Sequence, residues 1–194
     1  MGGASVSGAC SITKRLLVLA ALLFSARVDA QSPMSESQVK AMFVYNFLKF
    51  VEWPAENALG AREPFVVVII GEGSTADATQ QFLETRAVGE RPLFVRRIRW
   101  DESLDGARAA FVVEHDAKRL RRVLDAAAAA GVLTIGEGDN FTTSGGVIGL
   151  LVEDRKVRFD VDTSAAQHAG LRVSSKILAL SHTVRSSTSR PGSQ

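Results

Sequence analysis

Three histidines and one acid–histidine–acid cluster, Glu114-His115-Asp116, carry the residue types that could move protons or hold a metal. The cluster follows Ala109-Ala-Phe-Val-Val113, a buried-strand pattern, and the C-terminal ends of strands are where α/β sheets carry ligands. The plainer reading is a helix start, with Asp116 at the N-cap and His115 in the loop. His115, His168 and His182 share no ligand spacing, and no G-x-S-x-G, S-x-x-K or H-E-x-x-H occurs. A Ser-His-Asp set drawn from distant positions stays open, since triads assemble in space. No catalytic residue, metal site or cofactor is expected from these patterns, and the chain reads as a non-enzyme.

Glycines offer the other candidate. Phe65-Val-Val-Val-Ile-Ile70 is a continuous β-branched run, followed by Gly71-Glu-Gly-Ser-Thr-Ala76 and a predicted helix through Arg86. That order outlines a dinucleotide fingerprint. It is set aside, because any short strand-to-helix connection needs such a turn and an exported protein meets no ready dinucleotide pool. The backbone amides could still hold a small anion. Arg96, Arg97 and Arg99, on the predicted strand Leu93–Trp100, read as an edge strand's solvated face rather than an anion site.

The element that organises the chain is Val39–Pro54. Ser35 and Gln38 stand in capping-box order before it, and Pro54 predicts a helix end near Trp53. On a helical wheel Val39, Met42, Phe43, Phe47 and Phe50 form one apolar stripe, with Ala41, Val44, Tyr45 and Leu48 opposite. Lys40, Lys49 and Glu52 are left as ordinary polar surface. Asn46 falls within the first stripe, where a buried amide must be hydrogen-bonded or costs roughly 1–3 kcal/mol. A helix apolar on two sides wants cover on two sides. If the first stripe faces the core, the second must meet the closing helix, a second protomer or a target.

Residues 1–30 read as a targeting segment. Lys14 and Arg15 precede the apolar Leu16–Phe24, and Val28-Asp29-Ala30 fits a small-x-small cleavage site, so the mature start is placed at Gln31. The apolar run is short for a membrane span. Cleavage would take Lys14, Arg15 and Arg27 from the 23 basic residues and Asp29 from the 21 acidic ones, leaving 20 of each. A balanced charge argues against nucleic acid and against an anionic membrane as partner. The one cysteine, Cys10, lies in the removed segment, so thiol chemistry cannot regulate the mature chain.

Further elements follow in order. Ala55–Glu63 reads as a surface loop, Ala117–Ala130 as a helix ended by Gly131, and Val132–Ile135 as a buried strand. Phe141 and the Gly145-Gly146 pair imply a left-handed turn or a close backbone approach. Val147–Val152 and Val157–Val161 read as a hairpin with Arg158, Asp160 and Asp162 on its wet face. Gly170 splits the final segment, with Ser174 placed to cap a closing helix over 174–182. Ser186–Gln194 reads as a disordered tail.

Three segments carry a family resemblance. Lys40-Ala-Met-Phe-Val-Tyr-Asn-Phe-Leu-Lys-Phe-Val-Glu-Trp-Pro54 resembles the opening "K-A-x-x-x-Y-N-F-x-K-F-x-E-W-P" of the YfiR-like periplasmic proteins. Phe141 with Gly145-Gly146-Val-Ile148 resembles their "F…G-G-x-I". Ala165–Leu180 resembles the closing "A-A-x-x-A-G-L-x-[IV]-S-S-K-[IL]-L-x-L". The resemblance spans about residues 36–182. It implies a small periplasmic regulator that restrains a membrane-bound diguanylate cyclase by binding that enzyme's periplasmic part. The family member that names it is known for disulfides and redox control, and this chain departs from it in having no mature cysteine.

The resulting expectation is a three-layer α/β domain over 31–185. It has a mixed, mostly parallel sheet, flanking helices and a C-terminal hairpin plus helix. Partner-binding candidates are Tyr45, Asn46, Lys49, Phe50, Trp53, Arg172 and Lys176, with a homodimer as a further contact and no membrane insertion after cleavage. The alternative is a periplasmic small-molecule sensor with a pocket at the strand ends.

Overall fold

The computed structural model describes residues 34–53 and 64–186. The targeting segment, the loop after Trp53 and the tail beyond Ser186 lie outside the described residues. Helix α1 spans Glu36–Phe50 and opens on the expected capping box. The Ser35 hydroxyl accepts from the Gln38 amide at 3.2 Å, and the Ser35 amide donates to Gln38 Oε1 at 2.9 Å. The helix ends three residues earlier than expected. Val51 turns extended, and Val51–Glu52 becomes β1, antiparallel to β9 (Arg172–Val173). The Ser174 amide closes this junction on the Phe50 carbonyl at 3.2 Å. Pairing with this distant strand thus ends the helix at Phe50.

The sheet is built from β2 (Phe65–Ile70), β3 (Ala87–Val88), β4 (Arg91–Ile98), β5 (Ala109–Val112), β6 (Leu133–Glu137), β7 (Ile148–Glu153), β8 (Lys156–Asp162) and β10 (Thr183–Arg185). Its order is β10-β8-β7-β6-β5-β2-β4-β3, and only the β7–β8 and β4–β3 pairs are antiparallel. This is the expected mixed, mostly parallel α/β sheet. Strand β2 shows the layering. Val67 and Ile69 point into the core beneath α1 and α2 (Ser74–Leu83), while Val68 and Ile70 pack with Val123, Leu124 and Ala127 of α3 (Ala117–Ala129). Period-2 burial on both faces is why the run carries no polar residue.

Local chemistry explains the remaining joints. Asp116 caps α3, accepting from the Lys118 and Arg119 amides at 3.0 and 2.9 Å. Asp154 and Arg155 both take positive φ, the type I′ geometry of a two-residue hairpin loop. The ring of Phe141 lies between Gly136 and Gly146, and a Cβ on either glycine would fall 2.1 Å from it. Asp162, read as a strand residue, also caps α4 (Thr163–His168) through the Ser164 and Ala165 amides.

The closing segment differs from expectation. Helix α5 spans only Ser175–Leu180, and the chain then extends into β10, parallel to β8. Ser174 precedes α5, but its hydroxyl makes no capping bond and is buried without a partner. Likewise α2 stops at Leu83, short of Arg86.

Candidate functional site

The orientation of α1 sets the site. Buried on it are Lys40, Ala41, Val44, Phe47 and Leu48, so the stripe that includes Ala41, Val44 and Leu48 faces the core. The other stripe is only partly covered: Phe47 is buried, but Met42 and Phe50 remain 38 % and 36 % exposed. Asn46 is exposed rather than buried. Lys40, expected at the surface, is 7 % exposed. Its ammonium lies 2.6 Å from Glu137 on β6 and 2.7 Å from Glu36, and Thr75 of α2 donates to the same Glu137 oxygen at 3.1 Å. Burial pulls this lysine's pKa down, but hydrogen bonds and charge from Glu137 and Glu36 outweigh that and hold it above the usual value. A carboxylate 97 residues away thus turns the helix and pins the Ala41/Val44/Leu48 side inward.

What faces outward is an apolar groove of about 530 Å³ between α1 and α5. Phe43, Phe47 and Phe159 form an aromatic cluster, with Phe159 at 5.7 Å from Phe43 and 4.9 Å from Phe47. Asn46, Phe50, Lys176 and Leu180 also line the groove, and Leu180 is 77 % exposed. The ammonium groups of Lys49 and Lys176 each lie 5.9 Å from the centre of the Phe50 ring. Three of the predicted residues, Asn46, Phe50 and Lys176, therefore line this groove, and Lys49 borders it only through the Phe50 ring while lining a smaller cavity of its own.

The other three do not line it. Tyr45 turns toward α2, its ring edge-on to Phe82 at 6.1 Å and its hydroxyl donating to the Ala87 carbonyl at 2.9 Å. It touches the site only through Lys49, 5.4 Å from its ring. Trp53 stacks edge-on against Phe65 at 5.1 Å and borders a smaller cavity with Lys49, Arg91 and Arg108. Arg172 sits on β9 opposite Glu52. Leu180 was missed. Its signal was a large apolar residue at the end of a short helix.

The sequence's other candidates fall elsewhere. A crevice of about 450 Å³ lies over the C-terminal ends of β2, β4 and β5, lined by Gly71, Glu72, Arg97, Arg99, Trp100 and Glu114 among others. Gly71 is required by packing there, since a Cβ would meet the Val113 carbonyl oxygen at 2.0 Å. Glu114 accepts from the Asp116 amide, and His115 is exposed. The Arg119 amide, burial and the Lys118 amide act on the Asp116 carboxyl together, and the net effect holds it below its usual range. His182 folds back to 3.2 Å from Asp160 and 3.6 Å from Glu153. Among the described residues no group of three or more His, Cys, Asp or Glu is placed to hold a metal.

The sequence model of the YfiR/HmsC-like family, DUF4154, matches residues 37–182, well over half of the chain. The chain belongs to this family. The match contains α1, the Phe141 turn and α5, so the groove lies wholly within the family's region. None of the curated proteins matches the chain. Among solved structures, it is similar to a conserved domain protein from Vibrio cholerae O1 biovar El Tor. The TM-score is 0.56 at 10 % identity, covering 79 % of this chain and 62 % of that one. It is also similar to an ABC domain in complex with L-Trp from Streptococcus pneumoniae. There the TM-score is 0.51 at 11 % identity, with 76 % and 60 % covered. At such identities the likeness is one of fold. The chain spans less than two thirds of the length of either structure. No described helix is long and apolar enough to cross a membrane.

Proposed function

We propose that this YfiR/HmsC-like chain is a periplasmic regulatory protein. It restrains a membrane-bound diguanylate cyclase by protein–protein contact at the α1–α5 groove. One observation carries the reading. The helix that bears the family's opening signature presents Phe50, with Leu180 across the groove from it, as exposed apolar surface around an aromatic floor. Soluble surfaces rarely leave such residues gathered at one concavity without a partner. Lys14–Ala30 supports export through a cleaved signal peptide, and the domain delivered would run from residue 31 to about 185.

The role is that of a regulator rather than a catalyst. It acts by differential affinity, since binding shifts the cyclase only as far as one of its states is preferred. The experiment is titration of the periplasmic domain of a membrane-bound diguanylate cyclase from the same cell. Parent and Leu180→Ser chains are compared, with melting temperature followed on both. Weaker binding at unchanged melting is the expected result. Equal binding by both chains moves the contact away from the groove.

A further inference from the structure

We propose that the groove takes an acidic amphipathic segment, an apolar stretch of the partner that brings carboxylates to Lys49 and Lys176. This rests on the groove being the docking site and specifies what docks.

The groove's lining includes Phe43, Asn46, Phe47, Phe50, Phe159 and Leu180, with Lys176 and no carboxylate. Lys49 and Lys176 both crowd the half-open Phe50 ring at 5.9 Å. Among the described residues neither ammonium has an ion-pair partner. Several other cations are matched: Lys40 with Glu36 and Glu137, Arg97 with Asp77, Arg99 with Asp101, and Arg121 with Asp125. Two like charges beside one ring with no carboxylate of their own favour an incoming carboxylate next to the apolar wall.

A second copy of the chain fits poorly. An isologous contact would bring two more ammonium groups to the same rim. An anionic membrane would be served by a broad basic face, whereas this site is concave, mostly apolar and holds the exposed Asn46 amide. An amide that both donates and accepts suits a peptide. A groove between two helices suits an amphipathic segment with apolar residues at i, i+3 or i+4, and i+7.

The test uses a phage-displayed library of random 15-residue peptides selected on the purified chain, with two variants read alongside. Lys49→Glu/Lys176→Glu reverses the rim, Leu180→Ser damages the apolar wall, and melting temperature checks each for folding. The expected winners carry Asp or Glu beside an apolar helical stripe. They should bind the reversed rim at least about tenfold more weakly. Selection on the reversed rim should favour basic peptides.

Winners indifferent to the rim charges but lost on Leu180→Ser would overturn the charge inference while the groove stands as the docking site. Winners indifferent to Leu180→Ser overturn the docking site itself. If no peptide is selected, the inference fails. Lysine-dependent binding of phosphatidylglycerol vesicles would in that case assign the rim to a membrane surface.

Discussion

Two concave surfaces of this domain make a useful contrast. The crevice over β2 and β5 holds two arginines already paired with carboxylates and a third beside an indole ring. Arg97 holds Asp77 at 2.8 Å, Arg99 holds Asp101 at 3.2 Å, and Arg119 lies 5.5 Å from the Trp100 ring. The α1–α5 groove is the reverse, with apolar surface uncovered and two cations without carboxylates. Strand ends at a topological switch are where ligands sit in many α/β folds. Here position and chemistry separate: the favoured position pairs Arg97 and Arg99 with carboxylates, whereas the uncovered apolar surface lies on the helix that opens the family's signature.

Substitution should separate the groove's floor from its rim. Phe159→Ala removes a buried ring that holds Phe43 and Phe47, and should cost about 3–5 kcal/mol of stability in denaturant melts, with binding falling in step. Phe50→Ser/Leu180→Ser strips exposed rim side chains. It should weaken partner binding by about a hundredfold, ~2.7 kcal/mol by titration, with melting close to the parent.

Lys40→Met tests what orients the helix. Removing the cation leaves Glu137 facing it with only Thr75 and partial solvent, and should cost about 2 kcal/mol at neutral pH, below the range for fully buried pairs. The same lysine predicts a pH dependence. Its folded pKa is raised, so the stabilisation it supplies is complete at neutral pH. That stabilisation is lost as pH rises from about 10.5 through the folded value. Alkaline melts of the parent should fall more steeply than those of Lys40→Met. In the crevice, Arg97→Ala and Arg99→Ala remove exposed pairs and should change stability by no more than about 0.5 kcal/mol, with partner affinity unmoved. A large loss of binding there would erase the contrast between the two surfaces.

Much of this was written into short-range chemistry. The Ser35–Gln38 box, the Asp116 cap, the turn before Lys156 and the apolar run of β2 each depend on neighbours within a few residues, and each stands as expected. Distant pairings were invisible. Nothing near Lys40 announces Glu137, so the lysine read as surface and the two stripes of α1 could not be ordered. Nothing near Trp53 announces β9, so the helix was drawn to the proline instead. The tail of the closing helix went the same way, because β10 exists only by pairing with β8. Asn46 was misplaced for the same reason as the stripe, yet it reaches the groove as an exposed amide.

The central claim is that the α1–α5 groove is where this family member meets its target. The most direct measurement is titration of the periplasmic domain of a membrane-bound diguanylate cyclase with the parent chain and with Phe50→Ser/Leu180→Ser, with both melting curves recorded. The account predicts binding that drops about a hundredfold in the variant while the two chains melt together. Binding that is unchanged in the variant, or that falls only as far as its melting temperature does, contradicts it.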